Sequence, residues 1–362
     1  MKLVRFSRRV LHGTLLGMLG AFLTAVAVFV YVLDARPDLH PWHTVVLQEE
    51  FSLDKQAQVQ DLDDYLALED RLFNELQSRI YHHPLLVTGP ERKTAVQFSG
   101  LNRFENGSLA DPTHYAKNWN RSYILAPEKP RGGVLLLHGL SDSPYSLRQL
   151  AQTLYRKGYY VIGLRLPGHG TAPSALLHIH WEDMAAVVRL AMRHLAAQLP
   201  SDVPVYITGY SMGAAQAVNY SLDALKDKSL PAADALVLIS PAIAVPPIAA
   251  LAIWQARLGV LFGLEKLAWN SIGPEYDPYK YNSFAVNAGD QMYRLTQAIN
   301  SKLDALAEGH GTRGFPPSLA IVSMVDATVS APAVVSKLLD RLENPGNQLV
   351  LFDINRHESL SL

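Results

Sequence analysis

Val205-Tyr206-Ile207-Thr208-Gly209-Tyr210-Ser211-Met212-Gly213-Ala214-Ala215-Gln216-Ala217 decides the reading of this chain. Four strand-forming residues lead into Gly-x-Ser-x-Gly, and a small-residue helical run follows. A serine at such a junction sits in a sharp strand-to-helix turn. Glycines two residues before and two after let the chain bend without side-chain clashes. The turn exposes Ser211 Oγ and sets it beside the free N–H groups and positive dipole end of the new helix. The expectation is a nucleophilic serine. The plainer alternative is a turn serine that caps the helix.

Working outward, short β-branched and leucine runs alternate with helical stretches from about residue 94. Strands are expected at Ser122–Ala126, Val134–His138, Tyr160–Leu164, Val205–Thr208, Ala235–Ser240, Leu319–Met324 and Leu349–Asp353. Helices are expected at 144–157, 181–198, 212–226 and 331–342. This alternation argues for a mostly parallel central sheet with helices on both faces. Residues 241–316 break the rhythm, because they separate two strands by far more than an ordinary connection. Their first part, from Ala242 to Leu264, is strongly apolar, but Pro246, Pro247, Gln255 and Arg257 interrupt it. An inserted helical cap over the C-terminal edge of the sheet is expected here, where ligands bind in open α/β sheets. A packing insertion with no substrate role is the alternative.

A serine hydroxyl needs a base, and the base needs an orienting acid. In a strand–serine–helix architecture the chain order is Ser, then Asp or Glu, then His. His310 and His357 follow Ser211. His310 lies in a Gly-His-Gly loop before a strand. His357 follows the last strand, at the same sheet edge as Ser211, and is the better base. Asp326 leaves the strand Leu319–Met324 at its C-terminal end and is the preferred acid. Asp353, within or just after its own strand, is the alternative, and Asp304 falls in a helical pattern. Backbone donors for a tetrahedral oxyanion are expected at Met212, after the serine, and at Leu140, in the loop leaving Val134–His138. His138, just before Gly139, reads as a loop-shaping histidine.

Other chemistries lack their signatures. Leu166-Pro167-Gly168-His169-Gly170-Thr171 is a compact turn with no second metal ligand at a sensible spacing, and His178/His180 alone are a weak metal signal. The sheet region holds neither a dinucleotide fingerprint nor a phosphate-binding loop, so no cofactor and no metal is expected. The absence of cysteine excludes a disulfide scaffold, a zinc ribbon and a thiol nucleophile. With 32 basic and 33 acidic residues in 362, the chain is no strongly basic nucleic-acid binder.

The near-neutral total hides a split. Residues 1–33 carry Lys2, Arg5, Arg8 and Arg9 and no acid, which leaves 28 basic against 33 acidic residues in 34–362. Gly13 to Leu33 is a 21-residue run without charge. As a helix it would span roughly 30 Å, the thickness of a bilayer core. The expected organisation is therefore a cytoplasmic basic tip (1–12), a transmembrane anchor (13–33), a linker and amphipathic helix (34–93), and the sheet domain with its cap (94–362). A cleaved signal peptide ending near Ala25-Val26-Ala27 is the alternative. The four leading cations would keep the N-terminus cytoplasmic and place the body on the outer side, periplasmic in a bacterium. Val59, Leu62, Leu66, Phe73, Leu76 and Ile80 recur at mostly three- and four-residue spacing, as in an amphipathic helix packed on the body.

With the His138-Gly139-Leu140 loop, the Pro167-Gly168-His169-Gly170 turn, Gly209-Tyr210-Ser211-Met212-Gly213, Asp326 and His357 in that order, the chain resembles the α/β-hydrolase superfamily. Within it, residues 120–360 look most like the monoacylglycerol lipase, lysophospholipase and serine aminopeptidase-like group. The resemblance implies a Ser211-Asp326-His357 triad, an oxyanion hole at Leu140 and Met212, and a lid at 241–316. Two departures stand out. Arg165-Leu166 precedes the Pro-Gly-His-Gly turn where this group often has an aspartate. A final helix would follow the histidine, whereas Leu362 comes five residues after His357. The expected function is a membrane-anchored serine hydrolase cleaving carboxylic esters of an acyl or lipid-like substrate. A serine aminopeptidase or thioesterase is the alternative within enzymes. In a peptidase Glu275 and Asp277 could bind the substrate ammonium. A non-catalytic anchored binding protein is the alternative outside enzymes.

Overall fold

The computed structural model describes residues 12–24, 28, 31, 35–83, 100–244, 264–309, 311–326 and 328–353. His357, His310 and most of the apolar first part of the insertion (245–263) fall outside the described residues.

Seven strands form one sheet: β1 (Tyr123–Leu125), β2 (Gly133–Leu137), β3 (Tyr160–Leu164), β4 (Val205–Tyr210), β5 (Ala235–Ile239), β8 (Ser318–Ser323) and β9 (Gln348–Phe352). They correspond one for one to the seven expected strands. Two short strands, β6 (Trp269–Ser271) and β7 (Phe284–Ala285), pair apart in the insertion. The sheet order is β1-β3-β2-β4-β5-β8-β9, and every pairing is parallel except β1 with β3. After β2 the chain steps to one side to make β3, then returns across β2 to make β4. The order therefore reverses at the C-terminal ends of β2 and β4, where an open α/β sheet leaves a crevice.

The helices are α1 (Leu62–Leu76), α2 (Arg148–Arg156), α3 (Trp181–Ala197), α4 (Met212–Lys226), α5 (Val286–Ala307) and α6 (Ala331–Lys337). Period-two alternation in β2 divides the core. Leu135 and Leu137 face the larger cluster with α1, α3, α4 and α5, while Val134 and Leu136 face the smaller one with Ala151 of α2. Within the insertion, α5 is a 22-residue helix that packs Leu295, Ile299 and Leu303 into the main core. This part of 241–316 belongs to the body, not to a set of short cap helices.

The N-terminal expectation needs correction. Helical residues in that region are 12–24, 28 and 31. Among the described residues no helix is long and apolar enough to cross a membrane. The transmembrane helix over 13–33 is not supported. With it fall the membrane-anchored function, the membrane as partner, and the single-pass placement with a cytoplasmic N-terminus and an outer or periplasmic catalytic domain.

Residues 35–83, partly expected as a linker, lie against the body. Arg36 donates to the carbonyls of Lys266 and Trp269, and the Lys266 ammonium pairs with Asp38. His43 bonds Ser283 Oγ at 2.9 Å. Asp61 caps α1, which buries Leu62, Tyr65, Leu68 and Leu72. The tie that holds this segment is Arg165, fully buried after β3. Its guanidinium grips Glu50 through two N–H···O bonds of 3.0 and 3.1 Å and lies 3.6 Å from Glu69. Thus the residue that stands in place of the group's aspartate is used to clamp the N-terminal segment.

Candidate active site

Four parallel strands deliver residues to one crevice. A cavity of about 590 Å³ at their C-terminal ends is lined by Leu140 after β2, Ser211 after β4, Ser240 after β5 and Asp326 after β8. The insertion supplies Lys280, Phe284 and Met292 to its walls.

Ser211 has φ 53° and ψ −112°. That conformation is strained for a residue with a Cβ and persists only where the surroundings fix it. Its amide donates to the Ile239 carbonyl at 2.9 Å, and its carbonyl accepts from Ala214, Ala215 and Ala242. The side chain makes no capping bond to α4, so the plain reading of a capping serine fails and Oγ is left for the cavity. The two glycines are required by contact. A Cβ on Gly209 would lie 2.4 Å from Ala214 backbone atoms, and one on Gly213 would lie 2.2 Å from the Leu137 carbonyl oxygen. Met212 opens α4, so its N–H has no intrahelical acceptor.

Ser141 (φ 65°) and Ser240 (φ 42°) are the other non-glycine residues with positive φ among the described residues, and both line this same cavity. Strain concentrated in this way is characteristic of functional sites. The loop leaving β2 is tied from two directions. The Tyr281 amide donates to the Ser141 carbonyl at 2.8 Å. His138 is buried, and its Nε2 accepts the Leu166 amide at 3.0 Å. An amide can only donate, so Nδ1 carries the ring proton and donates to the Gly139 carbonyl at 2.9 Å. Burial holds this imidazole well below its usual pKa. His138 is a neutral structural histidine.

Asp326 sits in the turn after β8, where Oδ1 accepts the amides of Thr328 (2.8 Å) and Val329 (3.0 Å). Partial burial pushes its carboxyl up, but those amides and the Ser240 hydroxyl outweigh it, and the pKa ends below the ordinary carboxylate value. An ionised, oriented carboxylate results. The structure thus brings Ser211, Leu140 and Asp326 to one crevice, with Met212 buried beside Ser211 at the start of α4. His357 lies outside the described residues, and the alternative acid Asp353 is exposed at the end of β9.

Asp142 lines the cavity and was not singled out from the sequence. Burial pushes the Asp142 carboxyl up to about 6, against the pull of Lys280 and with help from Asp277. Asp142 lies two residues after Leu140 in the loop leaving β2, so its place after that strand was the available signal. Glu275 and Asp277, weighed as ammonium ligands, are engaged elsewhere. Glu275 is fully buried and accepts the amides of Asn282 and Ser283. Asp277 accepts those of Tyr279 and Lys280. Among the described residues no group of three or more His, Asp or Glu could hold a metal ion.

A parallel sheet that reverses order at a strained serine turn defines an α/β-hydrolase of the serine type. Residues 128–361 match the family described as serine aminopeptidase, S33, and the chain belongs to that family. A thermostable monoacylglycerol lipase of Bacillus sp. (strain H-257) is 28% identical over 174 residues, which are 48% of this chain and 65% of that enzyme. The match therefore spans less than two thirds of that relative's length. Among solved structures, a monoacylglycerol lipase of Paleococcus ferrophilus is similar at 20% identity and TM-score 0.49, covering 64% of this chain and 88% of its own. A soluble variant of the monoglyceride lipase of Saccharomyces cerevisiae is similar at 17% identity and TM-score 0.47, covering 65% and 83%.

Proposed function

We propose that the chain hydrolyses carboxylic esters of an acyl or lipid-like substrate through a Ser211-His357-Asp326 triad. Ser211 Oγ attacks the acyl carbon as His357 takes its proton. The amides of Met212 and Leu140 donate to the oxyanion. His357 then returns the proton to the departing alcohol, and water releases the acid in a second round. Asp326 orients the imidazole and stabilises its cation. The observation that carries this reading is Ser211 itself, held at positive φ between β4 and α4 and left uncapped beside a cavity that Asp326 also lines. The apolar wall from Leu140, Phe284, Met292 and Val329 suits an acyl chain.

The test is Ser211→Ala. The variant is expected to lose hydrolysis of p-nitrophenyl butyrate and labelling by a fluorophosphonate, with its melting temperature unchanged. Labelling at the native level would refute the assignment. His357→Gln should lower kcat on the same ester by several orders of magnitude.

One observation favours a peptidase as a second reading. The Asp142 carboxylate lines the cavity and has no hydrogen-bond partner among the described residues, so it could accept a substrate ammonium. Comparing aminoacyl-naphthylamides with acyl esters of equal length separates the two.

A further inference from the structure

A second groove lies beside the catalytic cavity. We infer that it is an anion-binding subsite, built to take a phosphate or carboxylate carried on the ligand's end remote from the scissile bond. The groove encloses about 560 Å³, and Lys117, Trp119, Tyr145, Arg148 and Tyr279 are among its lining residues. It shares its wall with the cavity that holds Ser211. Lys280 lines the cavity and its neighbour Tyr279 lines the groove. Asp142 lines the cavity and Tyr145, three residues on, lines the groove. Consecutive Cα atoms are about 3.8 Å apart, so the groove and the cavity adjoin along this wall.

The cations of this groove stand on aromatic rings. Lys117 Nζ lies 4.0 Å from the Trp119 ring centroid and 5.3 Å from that of Tyr123. The Arg148 guanidinium lies 3.6 Å over Tyr145, and Tyr145 stacks on Tyr279 at 3.6 Å and 8°. Such contacts fix the direction of long side chains without neutralising them. Neither Lys117 nor Arg148 has a carboxylate within ion-pair distance among the described residues. The groove's own carboxylate, Asp277, has Oδ1 turned to the amides of Tyr279 and Lys280. Desolvation with no counter-ion lowers the Lys117 pKa. The bland reading is a pair of solvated surface cations. Solvated surface cations need no ring beneath them, whereas Lys117 stands over Trp119 and Arg148 over Tyr145 in the lining of one groove. An anionic oxygen group in the groove would meet both cations, and the rest of its molecule would extend along the shared wall toward the cavity of Ser211.

As a substrate subsite the assignment rests on the ester-hydrolase reading, but binding tests it without catalysis. The full-length Ser211→Ala chain is titrated calorimetrically with glycerol 3-phosphate, glycerol and inorganic phosphate. Glycerol 3-phosphate is expected to bind, more weakly as salt is raised, with glycerol below detection. Lys117→Gln combined with Arg148→Gln should weaken that binding at least about tenfold, the loss of charge-assisted bonds, with the circular dichroism spectrum and melting temperature unchanged. Glycerol 3-phosphate binding no tighter than glycerol, or native affinity in the double variant, overturns the site. Equal affinity for inorganic phosphate and glycerol 3-phosphate overturns its assignment to a larger ligand's anionic end. Failure of ester hydrolysis in the native chain would leave these binding results readable on their own.

Discussion

Gly213→Ala tests whether the serine turn and the oxyanion loop are one rigid unit. The added Cβ would sit 2.2 Å from the Leu137 carbonyl oxygen, 2.5 Å from its carbon and 2.6 Å from the His138 oxygen. Real Cβ contacts stay beyond 3.0 Å, so the first turn of α4 must retreat from β2 by about 0.8 Å or more. All three atoms are backbone, and no side-chain rotation can absorb the clash. Overpacking of this kind destabilises by about 1–3 kcal/mol. The retreat also parts the Met212 amide from the Leu140 amide, the two donors assigned to one oxyanion. A misplacement of about 1 Å typically costs on the order of 10²-fold in rate. The assay is kcat on p-nitrophenyl butyrate per fluorophosphonate-titrated site, with urea unfolding alongside. Gly289→Ala is the stability control. It lies in α5, its Cβ would meet nothing nearer than Phe284 Cε1 at 3.8 Å, and it should gain up to about 1 kcal/mol from helix propensity. Native kcat per titrated site in Gly213→Ala would refute the coupling of the two donors.

Three further outcomes follow from the same structure. Arg165→Met strands Glu69 and Glu50 near the core and should cost about 3–5 kcal/mol in urea unfolding, with Glu69→Leu restoring part of it. A loss below about 1 kcal/mol would mean the clamp contributes little. His169 is buried beside Pro167 and its pKa is lowered to about 4 by burial. Its folded pKa lies below the unfolded value near 6.5, so its contribution is complete above that pH and is lost as pH falls toward 4. The loss is about 3 kcal/mol across the window, and His169→Gln should flatten the stability-versus-pH curve between those limits. Asp326 is also depressed, so its contribution exists above the unfolded carboxylate value and fades as pH drops below it. Asp326→Asn should remove that acid limb and lower kcat by roughly 10⁴-fold if the residue orients a triad histidine. Near-native kcat would shift attention to Asp353.

The sheet was legible because buried parallel strands read as short apolar runs, and β2, β3 and β4 are such runs with a glycine or a turn at their ends. Ser211 was legible because its turn demands Gly209 and Gly213 at fixed offsets. The helix α5 was not read, although Leu295, Ile299 and Leu303 carry a four-residue period. The apolar stretch before it drew the whole interval into one cap. The N-terminal run misled for a related reason. Hydropathy measures transfer into lipid, whereas a span also needs a continuous helix of sufficient length. The partners of Arg165 could not be read at all. Glu50 and Glu69 lie about a hundred residues earlier, and no local pattern links them to the turn after β3.

Strain and bracing at the crevice belong to one argument. Ser141, Ser211 and Ser240 occupy unfavourable backbone conformations at the ends of three adjacent strands, each costing on the order of 1–3 kcal/mol. Each is held by a hydrogen bond from a neighbouring element. The Ser211 amide is bound by the Ile239 carbonyl of β5, the Ser240 amide by the Ile321 carbonyl of β8, and the Ser141 carbonyl by the Tyr281 amide of the insertion. The first two ties are continuations of the sheet and come with any parallel neighbour. The third does not. Tyr281 also accepts the Thr171 amide on its hydroxyl at 2.8 Å and donates to the Gly168 carbonyl at 3.2 Å. The stretch of insertion that carries Tyr281 is therefore bonded at once to the loop leaving β2 and to the Pro-Gly-His-Gly turn. A lid free to swing would need to break those bonds. This stretch is accordingly a bonded wall of the cavity rather than a free flap.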